Sequence, residues 1–266
     1  MRLSFTVELP PSSSLFAGHF PGRPILPGIA HLAMAERAVR ELTGQEVAIT
    51  AVRVLKLRRP VSPGEALELR IDFPDAAGVT RFEMRCNGEM ASQGTIEVRT
   101  GASPEMNGDP GAADLPPAGF PPPETLLPHG PPALLLRAII EATEDAVVAV
   151  AEVSPGHPLV KDGRLPAFLG LEAAAQAAAA LEALGRRETP GPRIAGPRIG
   201  YLVGIRDARF AVPSLPAGRP LRVAARFEGG TFPLSRYAVA VGETGREAAT
   251  GILSTFIRDD AFIRDE

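Results

Sequence analysis

Apolar and polar residues alternate with a period of two in eight stretches of the chain, which predicts half-buried β-strands. Four fall early, over Val47–Leu57, Ala66–Phe73, Thr80–Arg85 and Gly94–Val98. Four fall late, over Gly204–Val212, Leu221–Phe227, Arg236–Val241 and Gly251–Ile257. A helix-forming run with few breakers precedes each set, and the later run, Ala173–Ala180, is almost entirely alanine. Pro63-Gly64 and Ala217-Gly218 mark matching turns, and ASQGTIEV in the first set is echoed by AATGILSTF in the second. A helix followed by antiparallel strands, twice over, is an internal repeat. It predicts an α+β architecture in which each half wraps a sheet around one helix, the small side chains of the alanine run letting strands approach closely.

Between the halves the pattern stops. TGASPEMNGDPGAADLPPAGFPPP, from Thr100 to Pro123, is rich in Pro, Gly, Ala and acids and has no apolar period. Such a segment cannot bury enough surface to offset its ordering entropy, so it reads as a semi-extended linker. The expected division is a first unit over 1–100, a linker over 101–123 and a second unit over 124–266. A further Pro/Gly-rich insert, RRETPGPRIAGPRIG, follows the second helix.

Composition narrows the class. Of the 266 residues 45% are hydrophobic and 22% charged, which excludes a chain disordered throughout. Lys plus Arg is 28 against 31 for Asp plus Glu, a net charge of −3, which excludes a general attraction to nucleic acid or anionic membrane. Cys86 is the only cysteine, so an internal disulfide and a multi-cysteine metal site are both excluded. It reads as a small buried hydrophobe in a strand, and a reducing cytoplasm is expected. MRLSFTVELPPSSS lacks the apolar stretch of a signal peptide, and the most apolar run, Ala173–Leu184, is interrupted by Gln176 and Glu182, so no membrane span is expected.

Two places carry candidate chemistry. HFPGRPILPG, His19 to Gly28, packs three prolines and two glycines into an irregular loop that ends where the first helix begins. Free N–H groups at a helix start can bind developing negative charge, and a histidine beside them can act as a general base. A Pro/Gly turn with an incidental histidine accounts for the same residues. The second place is Glu172, flanked by Leu171, Ala173, Ala174 and Ala175, with Gln176 one turn away to orient it by a hydrogen bond. Burial in such surroundings favours the protonated acid, which suits proton donation. His31, on the first helix, and His129, in LPHGPP, read as structural residues, the latter shaping a turn. No two histidines have the spacing of a helical metal site, and no phosphate-binding loop is present. Arg53, Lys56, Arg58 and Arg59 form a basic run that reads either as a solvated strand edge or as a docking patch for an acidic partner.

These motifs resemble a known family. GHFPGRPILPG resembles the active-site loop of the hotdog-fold 3-hydroxyacyl-(acyl-carrier-protein) dehydratases. LLPHGPPALLLRAIIEA resembles that family's amino-terminal lead-in, and LPAFLGLEAAAQAAAA its central helix with the catalytic acid. The pairing of two unlike units is similar to the partner dehydratases of aryl polyene biosynthesis, joined here in one chain. The resemblance implies a double hotdog with sites at the junction of the two units. It assigns His19 as base, Gly28 as oxyanion donor and, with Pro27 set against Pro166, Glu172 as acid. The first half has Ala33 at the acid position. The second half has His157 in an altered loop, HPLVKDGRLPA, and Ala167 where the helix-start glycine belongs. One competent site and one degenerate site, His157 with Ala33 and Ala167, are therefore expected.

The activity implied is dehydration of a 3-hydroxyacyl thioester to the trans-2-enoyl thioester, in fatty-acid-like or polyene biosynthesis. No cofactor or metal is expected. The implied partner is an acyl carrier protein, docked by the basic run, with no nucleic acid or membrane partner; homo-oligomers of double hotdogs are allowed. A hotdog thioesterase and a non-catalytic acyl-binding partner are the alternatives. The His-Phe-Pro-Gly loop argues against the first, and the complete His, Gly and Glu set against the second.

Overall fold

In a computed structural model, which describes residues 2–101, 119–188, 199–243 and 246–258, the alternating stretches form long antiparallel strands. Most of the expected linker and most of the insert after the second helix lie outside the described residues. The first unit runs β1 (Arg2–Glu8), α1 (Ala30–Thr43), β2 (Val47–Leu57), β3 (Ala66–Asp72), β4 (Val79–Cys86) and β5 (Glu89–Thr100). The second runs β6 (Leu136–Ala142), β7 (Ala146–Glu152), β8 (Arg164–Pro166), α2 (Gly170–Glu188), β9 (Ile199–Phe210), β10 (Ser214–Pro216), β11 (Pro220–Thr231), β12 (Leu234–Glu243) and β13 (Arg246–Arg258). β1, β6 and β7 lie beyond the eight strands expected from the alternation, and β8 pairs only with β10 in a small separate ladder.

The other eleven strands make one sheet in the order β1-β3-β4-β5-β2-β9-β13-β12-β11-β7-β6. Read outward from the centre, β2-β5-β4-β3-β1 and β9-β13-β12-β11-β7 are the same arrangement twice, and β6 is an additional edge strand. This is a double hotdog. The halves join through β2 and β9, antiparallel from Ala51 opposite Arg209 to Lys56 opposite Gly204. Leu55 and Ile205, paired across that seam, are both buried. Gly64 and Gly218, at the matching turns, both have positive φ, +86° and +71°, which glycine adopts without the penalty a Cβ would bring.

α1 packs on β2, β3 and β5, and α2 on β7, β11, β12 and β13. The alanine run explains how a 19-residue helix sits inside a sheet. Ala173, Ala174, Ala177, Ala178 and Ala180 are all fully buried, and a Cβ at Gly170 would come within 3.0 Å of Val241. By length and composition Ala167–Gly185 would suffice to cross a membrane, contrary to the expectation from Gln176 and Glu182. However, 78% of the most apolar window is buried inside the fold, as befits a core helix.

Candidate active site

The His19 loop is held by its own backbone. Ile25 N–H donates to His19 O at 2.8 Å, Arg23 N–H to Phe20 O at 3.1 Å, and Leu26 N–H to Val61 O at 2.8 Å. His19 is buried and its Nδ1 lies 3.1 Å from Ile25 O. A carbonyl only accepts, so Nδ1 carries a hydrogen, and in the neutral ring the lone pair a base needs then sits on Nε2. Gly18, with φ +77°, lies so close to the second half that a Cβ would be 2.1 Å from Gly130 O. Gly130 N–H donates to Gly18 O at 2.9 Å. The residue before His19 is thereby fastened to the residue after His129.

A carboxyl group comes from the other half. Glu172, in the first turn of α2, is buried, and its carboxylate, His19 and His129 offer polar atoms that all lie within 4.8 Å of one another. Gln176 donates through Nε2 to Glu172 Oε1 at 3.4 Å and to Ala133 O at 2.8 Å, and accepts from Leu135 N–H at 2.9 Å. It therefore orients Glu172 and anchors the lead-in segment together. His129 Nε2 is 3.8 Å from Glu172 Oε1, and its ring meets Phe20 edge-on at 4.8 Å. Burial, helped by the nearby His19, pushes its pKa down to about 3, so its imidazole is neutral. Two histidines and a carboxylate are also a donor set for a divalent cation. Bonds of about 2.0–2.1 Å around zinc require donors roughly 3.3 Å apart, so these side chains, spread over as much as 4.8 Å, would have to close by up to about 1.5 Å to hold one.

A cavity of about 370 Å³ opens onto this centre. Glu172, Ala175, Gln176, Ala179 and Glu182 form one wall along α2, and Tyr201, Leu202 and Thr255 of β9 and β13 face them. At a rise of about 1.5 Å per residue, the ten residues from Glu172 to Glu182 span roughly 15 Å. Gly28 also lines it. A Cβ there would lie 2.5 Å from Leu57 Cδ1 and 3.3 Å from Leu202 Cδ2. Among the described residues no backbone carbonyl accepts from Gly28 N–H, so that donor is free for a ligand oxygen.

The second set of residues is not brought together in this way. Ala167 N–H donates to Pro213 O at 3.1 Å, so the counterpart of the Gly28 donor is already engaged. His157 Nδ1 accepts from Leu159 N–H at 3.2 Å, and burial lowers the basicity of the ring. The cavity beside it measures about 20 Å³, and Ala33, half-buried on α1, does not line it. Of the basic run, Arg53 pairs with Glu97 at 2.7 Å, and Arg59 with Glu65 at 2.5 Å and Glu89 at 3.2 Å. Arg58 is exposed at the cavity's edge, and Lys56 lines a groove on the sheet with Arg53, Arg81 and Arg206.

The ApeP-like family model (ApeP dehydratase) matches residues 121–263, more than half of the chain. The chain belongs to the ApeP-like dehydratase family. The ApeI-like model (ApeI dehydratase) matches the other half of this ApeP-like chain, residues 1–95, so two unlike dehydratase units are fused. Curated relatives include the 3-hydroxyacyl-(acyl-carrier-protein) dehydratase FabZ of Pectobacterium atrosepticum, 36% identical over 93 residues, covering 30% of this chain and 62% of the relative. FabZ of Acetivibrio thermocellus is 34% identical over 92 residues, covering 31% and 63%. The chain thus spans about three fifths of the length of these relatives. Among solved structures, the dehydratase domain of RzxB from Pseudomonas fluorescens superposes with TM-score 0.65 at 18% identity, over 95% of this chain and 94% of that one. The dehydratase domain of PpsC from Mycobacterium tuberculosis does so with TM-score 0.63 at 15% identity, over 97% and 94%. At those identities the likeness establishes the double-hotdog fold.

From the sequence His129 reads as shaping the entry turn, although the lead-in motif LLPHGPPALLLRAIIEA that carries it also resembles the family; its neighbours His19 and Glu172 are remote in sequence.

Proposed function

We propose that this ApeP-like protein is a hydro-lyase that converts a 3-hydroxyacyl thioester to the trans-2-enoyl thioester. The observation that carries the reading is the convergence of three complementary groups on one cavity: the His19 Nε2 lone pair, the Glu172 carboxyl and the unengaged Gly28 N–H. Gly28 N–H polarises the thioester carbonyl, which acidifies the C2 hydrogen. His19 Nε2 takes that proton, the C2–H electron pair becomes the C2–C3 double bond, and the C3–O bond breaks. Glu172 gives its proton to the departing hydroxyl, which leaves as water. His19 then returns a proton to Glu172, through water, to restore the starting state. His19 and Gly28 come from the first half and Glu172 and Gln176 from the second, so the active unit is the fusion.

The similarity to the FabZ 3-hydroxyacyl-(acyl-carrier-protein) dehydratases supports an acyl carrier protein as the thioester's carrier, and the ApeI-like and ApeP-like matches support fatty-acid-like or polyene biosynthesis. Arg58 and Lys56, which make no ion pair among the described residues, are the cations best placed to meet an acidic carrier. A cytoplasmic protein fits the single thiol, Cys86, buried and unpaired. Mass spectrometry of a 3-hydroxyacyl carrier protein incubated with the protein tests the reading. Loss of one water is expected. Free acid would make the protein a thioesterase, and an unchanged ligand that co-purifies would make it a binding partner.

A further inference from the structure

We propose that His129 is the third group of the reacting centre, holding the substrate's 3-hydroxyl against Glu172; this rests on the dehydratase reading above. The segment that carries it is fastened to both halves of the site. Gly130 N–H bonds to Gly18 O beside His19, Leu134 N–H to Gly130 O at 3.0 Å, and residues 133 and 135 bond to Gln176 beside Glu172. A side chain that merely shaped a turn would not need such anchorage at both ends.

The spacing then indicates what sits there. His129 Nε2 and Glu172 Oε1 are 3.8 Å apart, too far for a direct hydrogen bond. A single oxygen at about 2.8 Å from each fits across that gap. His129 Nδ1 is also buried with no hydrogen-bond partner among the described residues. Leaving a buried polar atom unsatisfied costs stability, and a phenylalanine would fill the same space against Phe20 without that cost. A histidine held here at that cost is of use through its other ring nitrogen, Nε2, which faces Glu172.

The chemistry agrees. A neutral imidazole is both a donor and an acceptor, so it can grip a hydroxyl without competing with Glu172 for the proton it must deliver. As the C3–O bond breaks, the oxygen gathers negative charge and an N–H donated to it strengthens. Glu172 still supplies the proton, so no atom is unaccounted for. His129 lowers the barrier by fixing where the oxygen sits.

The test compares His129→Phe and His129→Gln with the unaltered chain. The ligands are 3-hydroxyoctanoyl-pantetheine, which has the hydroxyl, and octanoyl-pantetheine, which lacks it. For His129→Phe we expect kcat/KM on the first to fall by about tenfold or more, while the inhibition constant of the second changes less than threefold. His129→Gln should recover part of the loss. Equal weakening toward both ligands would mean a structural role, and no change toward either would mean an idle one; each overturns the proposal. If the unaltered protein does not dehydrate the hydroxyacyl ligand, the functional reading fails. Calorimetric binding of the two ligands to the unaltered chain and His129→Phe still decides the inference in that case. Selective loss of hydroxyacyl binding sustains the His129–hydroxyl contact, and unselective or absent loss overturns it.

Discussion

Gly18→Ala tests whether the close approach of the two halves builds the site. The added methyl carbon would sit 2.1 Å from Gly130 O and 2.8 Å from Pro131 O. Both are backbone atoms, so no rotamer change relieves the overlap and the loops must separate by about 1 Å. Holding an alanine at φ +77° costs about 1–2 kcal/mol. Losing the Gly130–Gly18 hydrogen bond costs about 1 kcal/mol, and overpacking adds about 1–3. The sum is about 3–6 kcal/mol. At roughly 2–4 °C per kcal/mol for a chain of this size, the melting midpoint should fall by about 6–24 °C. Gly22→Ala is the internal control. Gly22 has the same φ of +77° in the same loop, but nothing lies within 4 Å of its added carbon. It carries only the backbone term, about 1–2 kcal/mol. A 1 Å displacement of His19 and His129 from Glu172 should cost about 10²-fold in kcat/KM, whereas Gly22→Ala should stay within a few-fold. Thermal melts followed by circular dichroism, with turnover of a 3-hydroxyacyl thioester well below both midpoints, measure the two effects. If the variants melt together and turn over equally, the Gly18–Gly130 approach does not hold the site.

Other outcomes follow from the same geometry. His19→Ala and Glu172→Gln should each lower kcat by about 10²-fold or more, while His157→Ala should change it little; comparable damage from His157→Ala in a folded protein would place chemistry in the second half's loop. Gln176→Leu removes both anchors of the lead-in segment and leaves Leu135 N–H and Ala133 O without their partner, so urea titration should show a loss of about 2–4 kcal/mol; a loss under 1 kcal/mol would show that the segment is held elsewhere. His31 is buried against Ser92, with Nδ1 2.8 Å from the hydroxyl, and burial lowers its pKa from 6.5 to about 4. Between those values the unfolded chain binds the proton that the folded one excludes, so its contribution is full above pH 6.5 and falls by about 2–3 kcal/mol by pH 4.5. Denaturant melts at the two pH values should show a smaller drop for His31→Gln than for the unaltered chain, and equal drops would contradict this.

What the sequence showed depended on whether the signal was local. β2 ends where its alternation ends, and the other expected strands differ mainly in length, because a half-buried strand writes its own pattern. β6 and β7 did not announce themselves: AVVAVAE has a polar residue only at its end, and LRAIIEA bulges where it pairs with β7, between Leu136 and Ala138 and between Ile139 and Glu141. β1 alternates, but it is an exposed edge strand whose hydrophobic residues are few. In the site, His19, Gly28, Glu172 and Gln176 were legible because a loop motif and a helix turn carry them. His129 was marked only through the lead-in motif, since its nearness to the other two rests on residues 110 positions before it and 43 positions after it in the chain.

The unequal halves explain why fusion suits this site. His19 and Gly28 lie in one half and Glu172 in the other, so the proposed site exists only while β2 and β9 keep their pairing. That seam is antiparallel with a fixed register, and a slip of one residue would turn every side chain to the opposite face of the sheet. Leu55 and Ile205 would then leave the core for solvent, which opposes any slip by the free energy of burying two large apolar side chains, about 3–6 kcal/mol. The strands of the seam also hold Leu57 and Leu202 against Gly28, so the sheet that joins the halves also fixes how deep the Gly28 N–H lies in the cavity. Because Ala167 N–H is engaged by Pro213, the other helix start gains no free donor from the same pairing. On the proposed reading, one seam thus supports one competent site.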